Sequence, residues 1–167
     1  MERLPVGVVV VNWNGGALLD ACLDALDPQG ASRLLVVDNG SEPDEVRRLA
    51  NRDGVFVLPL GANRGFAPAS NAGAVDARLK ALPFLAFVNN DAVLEPGYLA
   101  ACVAALEADP GLSAVQGVVL DADGTRVDGL GLGWNRRHEA VQLGHGEEPP
   151  AAGGAPFPVA GVSGTAP

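Results

Sequence analysis

Five short apolar runs that do not alternate with polar residues constrain this chain more than any other feature. They are Val6-Gly7-Val8-Val9-Val10-Val11, Leu34-Leu35-Val36-Val37, Val55-Phe56-Val57-Leu58, Phe84-Leu85-Ala86-Phe87-Val88 and Ala114-Val115-Gln116-Gly117-Val118-Val119-Leu120. A strand with one face in water alternates apolar and polar side chains; a strand covered on both faces need not, and parallel strands between helix layers read this way. Helical spacing fills the intervals. Ala72, Val75, Leu79 and Leu82 fall on one stripe, Leu18-Cys22-Leu26 and Leu99-Cys102-Leu106 on two others, and Ser41-Glu42-Pro43-Asp44 reads as an N-cap followed by an early proline and acid. The alternation predicts an α/β fold, a mostly parallel sheet flanked by helices with right-handed crossovers. Hydrophobic residues make up 48% of the chain and aromatics 5%, so its core has to be built from Val, Leu and Ala.

At 167 residues the chain fits a single core. Its texture changes after Leu120, which predicts an α/β domain over 1–120 and a hairpin with a flexible loop over 121–167. Asp121-Ala122-Asp123-Gly124 signals a turn, and Glu147 to Pro158 is rich in Pro, Gly and Ala. Gly129-Leu130-Gly131-Leu132-Gly133 has the spacing of a phosphate loop but no helix pattern after it, so it reads as loop or strand glycine.

A net charge of -9 disfavours nucleic acid and anionic membrane, which need clustered Lys and Arg. Any phosphate ligand must then be held by backbone N–H groups, a metal or a few local bases. Cys22 and Cys102 read as buried free thiols rather than a disulfide. Met1-Glu2-Arg3-Leu4-Pro5 and the valines behind it are too short for a signal peptide or a membrane span, so a cytoplasmic protein without a transmembrane segment is expected, peripheral contact with the inner membrane face being left open.

Ligands of open parallel sheets sit outside the carboxyl ends of the strands. The segments there are Asn12-Trp13-Asn14-Gly15-Gly16, Asp38-Asn39-Gly40-Ser41, Gly61-Ala62-Asn63-Arg64-Gly65 and Asn89-Asn90-Asp91, all polar. Asp91 has the chemistry to ligate Mg2+ or Mn2+, hard cations that share oxygen ligands with substrate phosphates, or simply to cap the turn that follows. Asp38 could accept the imide N–H of uracil or thymine, or a guanine N–H; it could equally close a turn. Trp13 could stack on a base or pack. Asn63-Arg64-Gly65-Phe66-Ala67-Pro68-Ala69-Ser70-Asn71-Ala72-Gly73 offers a helix entrance, with unpaired N–H groups, positive dipole and Arg64, to a phosphate or nucleotide edge.

Taken in order, Val8 to Gly15, Val36 to Ser41, Asn63 to Gly73 and Phe87 to Ala92 resemble the successive motifs of family 2 glycosyltransferases of the GT-A fold, a Rossmann-like sheet, most strongly over Val6 to Gly111. Rhamnosyl-like and galactofuranosyl-like transferases of polysaccharide assembly are among its members. The resemblance implies that Asn12, Trp13 and Asn14 line a nucleoside pocket, that Asp38 meets the base and that Asn63, Gly65 and Asn71 shape the nucleotide floor. Asn89-Asn90-Asp91 takes the place of the family's Asp-x-Asp motif, with Asn89 and Asn90 toward sugar or water and Asp91 on the Mg2+ or Mn2+. Asn89 departs from that pattern and supplies less charge. The implied reaction moves a sugar from a UDP- or dTDP-sugar donor to a hydroxyl of a glycan or lipid-linked acceptor, with inversion. The family's catalytic base lies beyond a Gly-Ala-like segment that Gly161-Val162-Ser163-Gly164-Thr165-Ala166 matches, so the base is expected beyond Pro167 and the chain is expected to bind donor better than it transfers. A non-catalytic nucleotide-sugar-binding module is the alternative. A nucleotidyltransferase would want a basic Gly-rich loop after the first strand, a phosphoacceptor receiver an acidic pair and a dinucleotide oxidoreductase G-x-G-x-x-G; Asn12 to Gly16 provides none of them.

Overall fold

The computed structural model describes residues 3–151 and 153–164. Residues up to Ala104 form one compact unit and those from Ala105 onward a second. In the first unit, β1 (Leu4–Asn12), β2 (Ala31–Asp38), β3 (Val55–Pro59) and β4 (Phe84–Asn89) make a sheet in the order β3-β2-β1-β4, every pair parallel. Helices α1 (Gly16–Leu26), α2 (Pro43–Ala50) and α3 (Phe66–Ala74) fill the crossovers, a single 3-10 turn over Asp27–Gln29 leads into β2, and α4 (Tyr98–Ala108) follows β4.

The missing alternation in β1 is explained by what lies on each side of it. Val6, Val8 and Val10 join Val36 and Val88 in a core closed by Leu19, Cys22, Leu23 and Leu26 of α1, Leu49 of α2 and Leu99 and Val103 of α4. Val9, Leu35 and Val37 point the other way, into a smaller core with Ala69 of α3 and Leu79. Both faces are dry, and β-branched side chains fit such a pleated surface. The expected parallel sheet flanked by helices is therefore realised.

Several boundaries differ from the sequence reading. The stripe Ala72, Val75, Leu79 and Leu82 predicted a longer helix, but α3 stops at Ala74. Asp76 turns the chain by accepting the Arg78 backbone N–H at 2.9 Å, and Leu79 reaches the core from that turn. In α1 the inward stripe is Leu19, Cys22, Leu23 and Leu26, which keeps Cys22 and Leu26 of the expected stripe but leaves Leu18 exposed. The cap of α2 is Glu42 rather than Ser41; Pro43 then opens the helix, with Asp44 and Glu45 in its first turn and Arg47 and Arg48 in its last, each sign matching the helix dipole. Gln29 donates to Glu95 O at 2.8 Å and accepts the Leu99 N–H at 3.3 Å, anchoring the start of α4. Arg78 lies over the Phe56 ring and donates to Val57 O at 3.3 Å, shielding the edge strand β3.

The fifth apolar run does not extend the parallel sheet. Only Val119–Leu120 (β5) is a strand, and it pairs antiparallel with β6 (Val127–Gly129) in the second unit. Gln116 interrupts the run, its Oε1 accepting the Ser163 N–H at 2.6 Å. The Asp121-Ala122-Asp123-Gly124 turn forms as expected, both carboxylates accepting the Thr125 N–H. Gly129 ends β6, and β7 (Leu132–Trp134) pairs with β8 (Ala140–Gln142), so the glycine-spaced stretch is strand and loop. Glu147 and Glu148 are exposed in irregular chain. Thr165 and Ala166, like Met1 and Glu2, lie outside the described residues. Both cysteines are free, Cys22 buried and Cys102 half-buried. Among the described residues no helix is long and apolar enough to cross a membrane.

Candidate functional site

Strand register brings the site together. Asn12 pairs with Asp38, and Val11, one residue earlier, pairs with Asn89, so three adjacent parallel strands end in polar residues within one residue of the same level. The chain proceeds outward from β1 through β2 to β3 and then returns to the other side of β1 for β4, placing the topological switch point, where ligands of such sheets bind, between β1 and β4.

Asn12 is completely buried and all of its amide is used. Its Nδ2 donates to Ser41 Oγ at 3.3 Å and Glu45 Oε1 at 3.4 Å, while its Oδ1 accepts the Gly15 N–H and Asn90 Nδ2, each at 3.1 Å. It therefore joins the loops after β1, β2 and β4 rather than presenting its own amide. Asn14 adopts a left-handed conformation, φ 51°, that asparagine tolerates better than most residues. Its N–H donates to Ser41 Oγ at 2.9 Å and its Oδ1 accepts the Glu42 N–H at 2.9 Å, which staples that loop to the start of α2. Trp13 between them is left 58% exposed, open to an incoming ring.

Asp38 is buried at the end of β2. Its Oδ2 accepts the N–H groups of Gly40 and Ser41 at 3.3 and 3.2 Å, whereas its Oδ1 is buried with no hydrogen-bond partner. A buried acceptor without a donor is costly, and functional sites are where such costs are tolerated. The following loop is latched by Asn39, also buried: its Oδ1 accepts the Arg64 N–H at 2.8 Å and its Nδ2 donates to Asn63 Oδ1 at 3.1 Å and Gly65 O at 3.4 Å. Gly40, φ 88°, lets the backbone of Ala62 and Asn63 pass so close that a Cβ would sit 2.6 Å from a carbonyl carbon. Asn63 Oδ1 also accepts the Gly65 N–H, which sets the entry into α3. Asn71 lies exposed further along α3, joined by no side-chain bond to the Asn12 network.

Past β4, the Ala92 N–H donates to Asn89 O at 3.1 Å and closes a turn with Asn90 and Asp91 at its centre. Asp91 is exposed at the tip. Its carboxylate is felt at Cys22, whose Sγ–H donates to Asn89 O at 3.3 Å: burial first, then the Asp91 charge, pushes that thiol up to about 12, Arg52 opposing. Among the described residues no group of three or more His, Cys, Asp and Glu side chains could hold a metal. A hard cation here would take one protein carboxylate, Asp91, and its other ligands from diphosphate and water. This fits Mg2+ and Mn2+, which keep waters and bind through one or two carboxylates plus substrate phosphates.

Asn39, Ser41 and Glu45, which hold the loops in place, do not stand out as site residues in the sequence; Glu45 reads there as an ordinary helix-start acid, and only its partners reveal more. A cavity of about 340 Å³ lined by Asp24, Asp27, Arg52 and Asp53 lies beside the amino end of β3, away from the site. The unpartnered Asp38 acceptor and the exposed Asp91 carboxylate lie instead at the carboxyl ends of the strands.

The family model for glycosyl transferase family 2 matches residues 7–154. Among solved structures the chain is similar to the mannosyltransferase PcManGT from Pyrobaculum calidifontis in complex with GDP-Man and Mn2+, with 27% identity over 72% of this chain and 36% of that one and a TM-score of 0.59. It is also similar to TarS 1-349 from S. aureus, at 22% identity over 65% of this chain and 33% of that one, TM-score 0.51, a likeness of fold alone. The chain thus spans about a third of the length of each. No curated protein matches.

Proposed function

The chain belongs to glycosyl transferase family 2, and from that membership we propose that residues 1–120 bind a nucleoside-diphosphate sugar, the donor for sugar transfer to an acceptor hydroxyl. The observation that carries the reading is that Asn12 and Asp38, in register, and Asn89, one residue behind them, end three adjacent parallel strands beside the switch point. Trp13 covers the base, Asn14, Asn63, Gly65 and Asn71 border the nucleotide, and Asn89 and Asn90 lie toward the sugar.

The free acceptor of Asp38 supports a uracil or thymine base. Only Oδ1 lacks a partner, since Oδ2 is held by two backbone N–H groups; it is buried, so a base would reach it only as the covering loop moves aside. One acceptor atom matches the single imide N–H of uracil or thymine, whereas guanine presents two adjacent donors that would want both oxygens. UDP or dTDP is therefore favoured over GDP. Mg2+ or Mn2+ held by Asp91 would neutralise charge on the departing diphosphate, the largest electrostatic demand of the transfer. With the donor so oriented, the acceptor oxygen would bond to the anomeric carbon from the face opposite the diphosphate oxygen as that carbon–oxygen bond breaks, inverting the configuration, and the hydroxyl proton would pass to a carboxylate base that none of the assigned site residues supplies. A glycan or lipid-linked acceptor of cell-surface polysaccharide or glycoconjugate synthesis, in the cytoplasm, completes the proposal, as for the rhamnosyl-like and galactofuranosyl-like members that the motifs resemble.

Calorimetric titration of UDP, dTDP and GDP, with Mn2+ and with EDTA, tests it. Asp91→Ala should abolish the difference between Mn2+ and EDTA. Asp38→Asn should weaken UDP or dTDP by about tenfold or more, the loss of a hydrogen bond to a charged group. Binding indifferent to both metal and Asp91→Ala would overturn the site.

A further inference from the structure

Glu45 lies in the first turn of α2 with its side chain 12% exposed, outside the donor contacts assigned above. Its Oε1 accepts the Gly16 N–H at 3.1 Å and Asn12 Nδ2 at 3.4 Å, and its Oε2 accepts Arg48 Nε at 3.2 Å and Nη2 at 3.0 Å. Gly16 opens α1, so the carboxylate sits on an orphan N–H at the positive end of that helix. A carboxylate can only accept and a backbone N–H can only donate, so Glu45 and the Gly15 N–H together set which way the Asn12 amide faces: nitrogen toward α2, oxygen toward the Gly15 N–H and Asn90 Nδ2. Asn90 is the first central residue of the turn that carries Asp91 as its second, so holding the Asn90 side chain holds the peptide leading to Asp91. Gly15 keeps this bond clear, for a Cβ there would fall 2.5 Å from Asn12 Oδ1 and 2.7 Å from Asn90 Nδ2.

We propose that Glu45 is a positioning residue that acts through Asn12 and Asn90 to hold the Asp91 turn, setting affinity for the metal-bound diphosphate without touching it. The proposal rests on the donor-site reading above. Its test is calorimetry on the full chain with UDP, or with dTDP or GDP where that binds more tightly, in Mn2+ and in EDTA. Glu45→Ala and Gly15→Ala should each weaken binding in Mn2+ by about tenfold while changing binding in EDTA by less than about twofold. Glu45→Gln, which keeps one acceptor oxygen for both N–H groups, should restore most of the affinity. Combining Glu45→Ala with Asn90→Ala should cost about tenfold in all, not the roughly hundredfold of independent sites. If Glu45→Ala does not fold, Glu45→Asp carries the same expectation, its shorter side chain keeping the charge but withdrawing from Asn12. Equal losses in Mn2+ and EDTA, or multiplicative effects in the double variant, would mark Glu45 as merely structural and overturn the proposal. Metal-dependent binding by the wild type that the Glu45 variants leave unchanged overturns this proposal alone; a wild type that binds none of the three nucleotides overturns the donor-site reading as well.

Discussion

Replacing Gly73 by alanine sets two effects of known sign against each other. Gly73 is buried in the last turn of α3, where that helix crosses the sheet. Helix propensity alone favours alanine there by about 1 kcal/mol. Packing opposes it: the new methyl would lie 2.5 Å from Val9 Cγ1 and 2.9 Å from Val37 Cγ2, whereas comfortable carbon contacts are about 3.5 to 4.0 Å. Val9 and Val37 are at most 1% exposed and sit in strands paired on both sides, and their branched side chains have one favoured rotamer, so they cannot yield. The strain must be relieved by α3 lifting away, taking Ala69 out of its core. Overpacking of this kind costs about 1 to 3 kcal/mol, and an overlap of about 1 Å puts it at the upper end, leaving a net destabilisation of about 1 to 2 kcal/mol. For a domain of this size that lowers Tm by about 2 to 8 °C. Urea unfolding followed by far-UV circular dichroism should show a lower midpoint with an unchanged m-value. A midpoint at or above that of the wild type would mean that α3 does not pack on β1 and β2 this closely, and would refute the reasoning.

Two titrations give further checks. The Arg78 guanidinium holds the Asp76 carboxyl down to about 2, so the pair contributes stability above the ordinary carboxylate value near 4 and loses it as pH falls through about 2. With Arg78 one-third exposed, the contribution is screened to under about 1 kcal/mol; thermal melts of Asp76→Asn should show a shallower decline between pH 4 and 2, and parallel curves would count against the pair. Burial, with the Asp91 charge adding to it, pushes the Cys22 thiol up to about 12, so its stabilising effect is complete below its ordinary value near 9 and lost as pH rises toward 12. Cys22→Ala should flatten the alkaline limb of the melting curve, and native Cys22 should resist a thiol-labelling disulfide reagent at pH 8; rapid labelling would show the thiol to be accessible.

Much of the fold was legible because its cause is local. Val6 to Val11 lacks polar alternation for the reason observed, a dry core on each face of β1, and the Asp121 to Gly124 turn follows from carboxylates that bond their own backbone. Boundaries were less legible wherever one side chain outweighed periodicity. Asp76 turns the chain just after α3 ends at Ala74, eight residues before Leu82, the last member of the apolar stripe, and Gln116 breaks the last apolar run with a side chain that accepts the Ser163 N–H.

The polar residues at the strand ends were also visible in the chain itself, since Asn12, Asp38 and Asn89 stand directly after apolar runs. What each of them does was decided by tertiary structure. Asn12 looked like a pocket residue and is the buried hub of three loops, while Glu45 looked like a helix-start acid and grips that hub. The bonds responsible join residues 33 and 78 positions apart, Asn12 to Glu45 and Asn12 to Asn90. Hydrophobic pattern fixes which face of a strand is buried, but only the register of parallel strands decides which strand ends stand level, and hydrogen bonds a few ångströms long depend on that register.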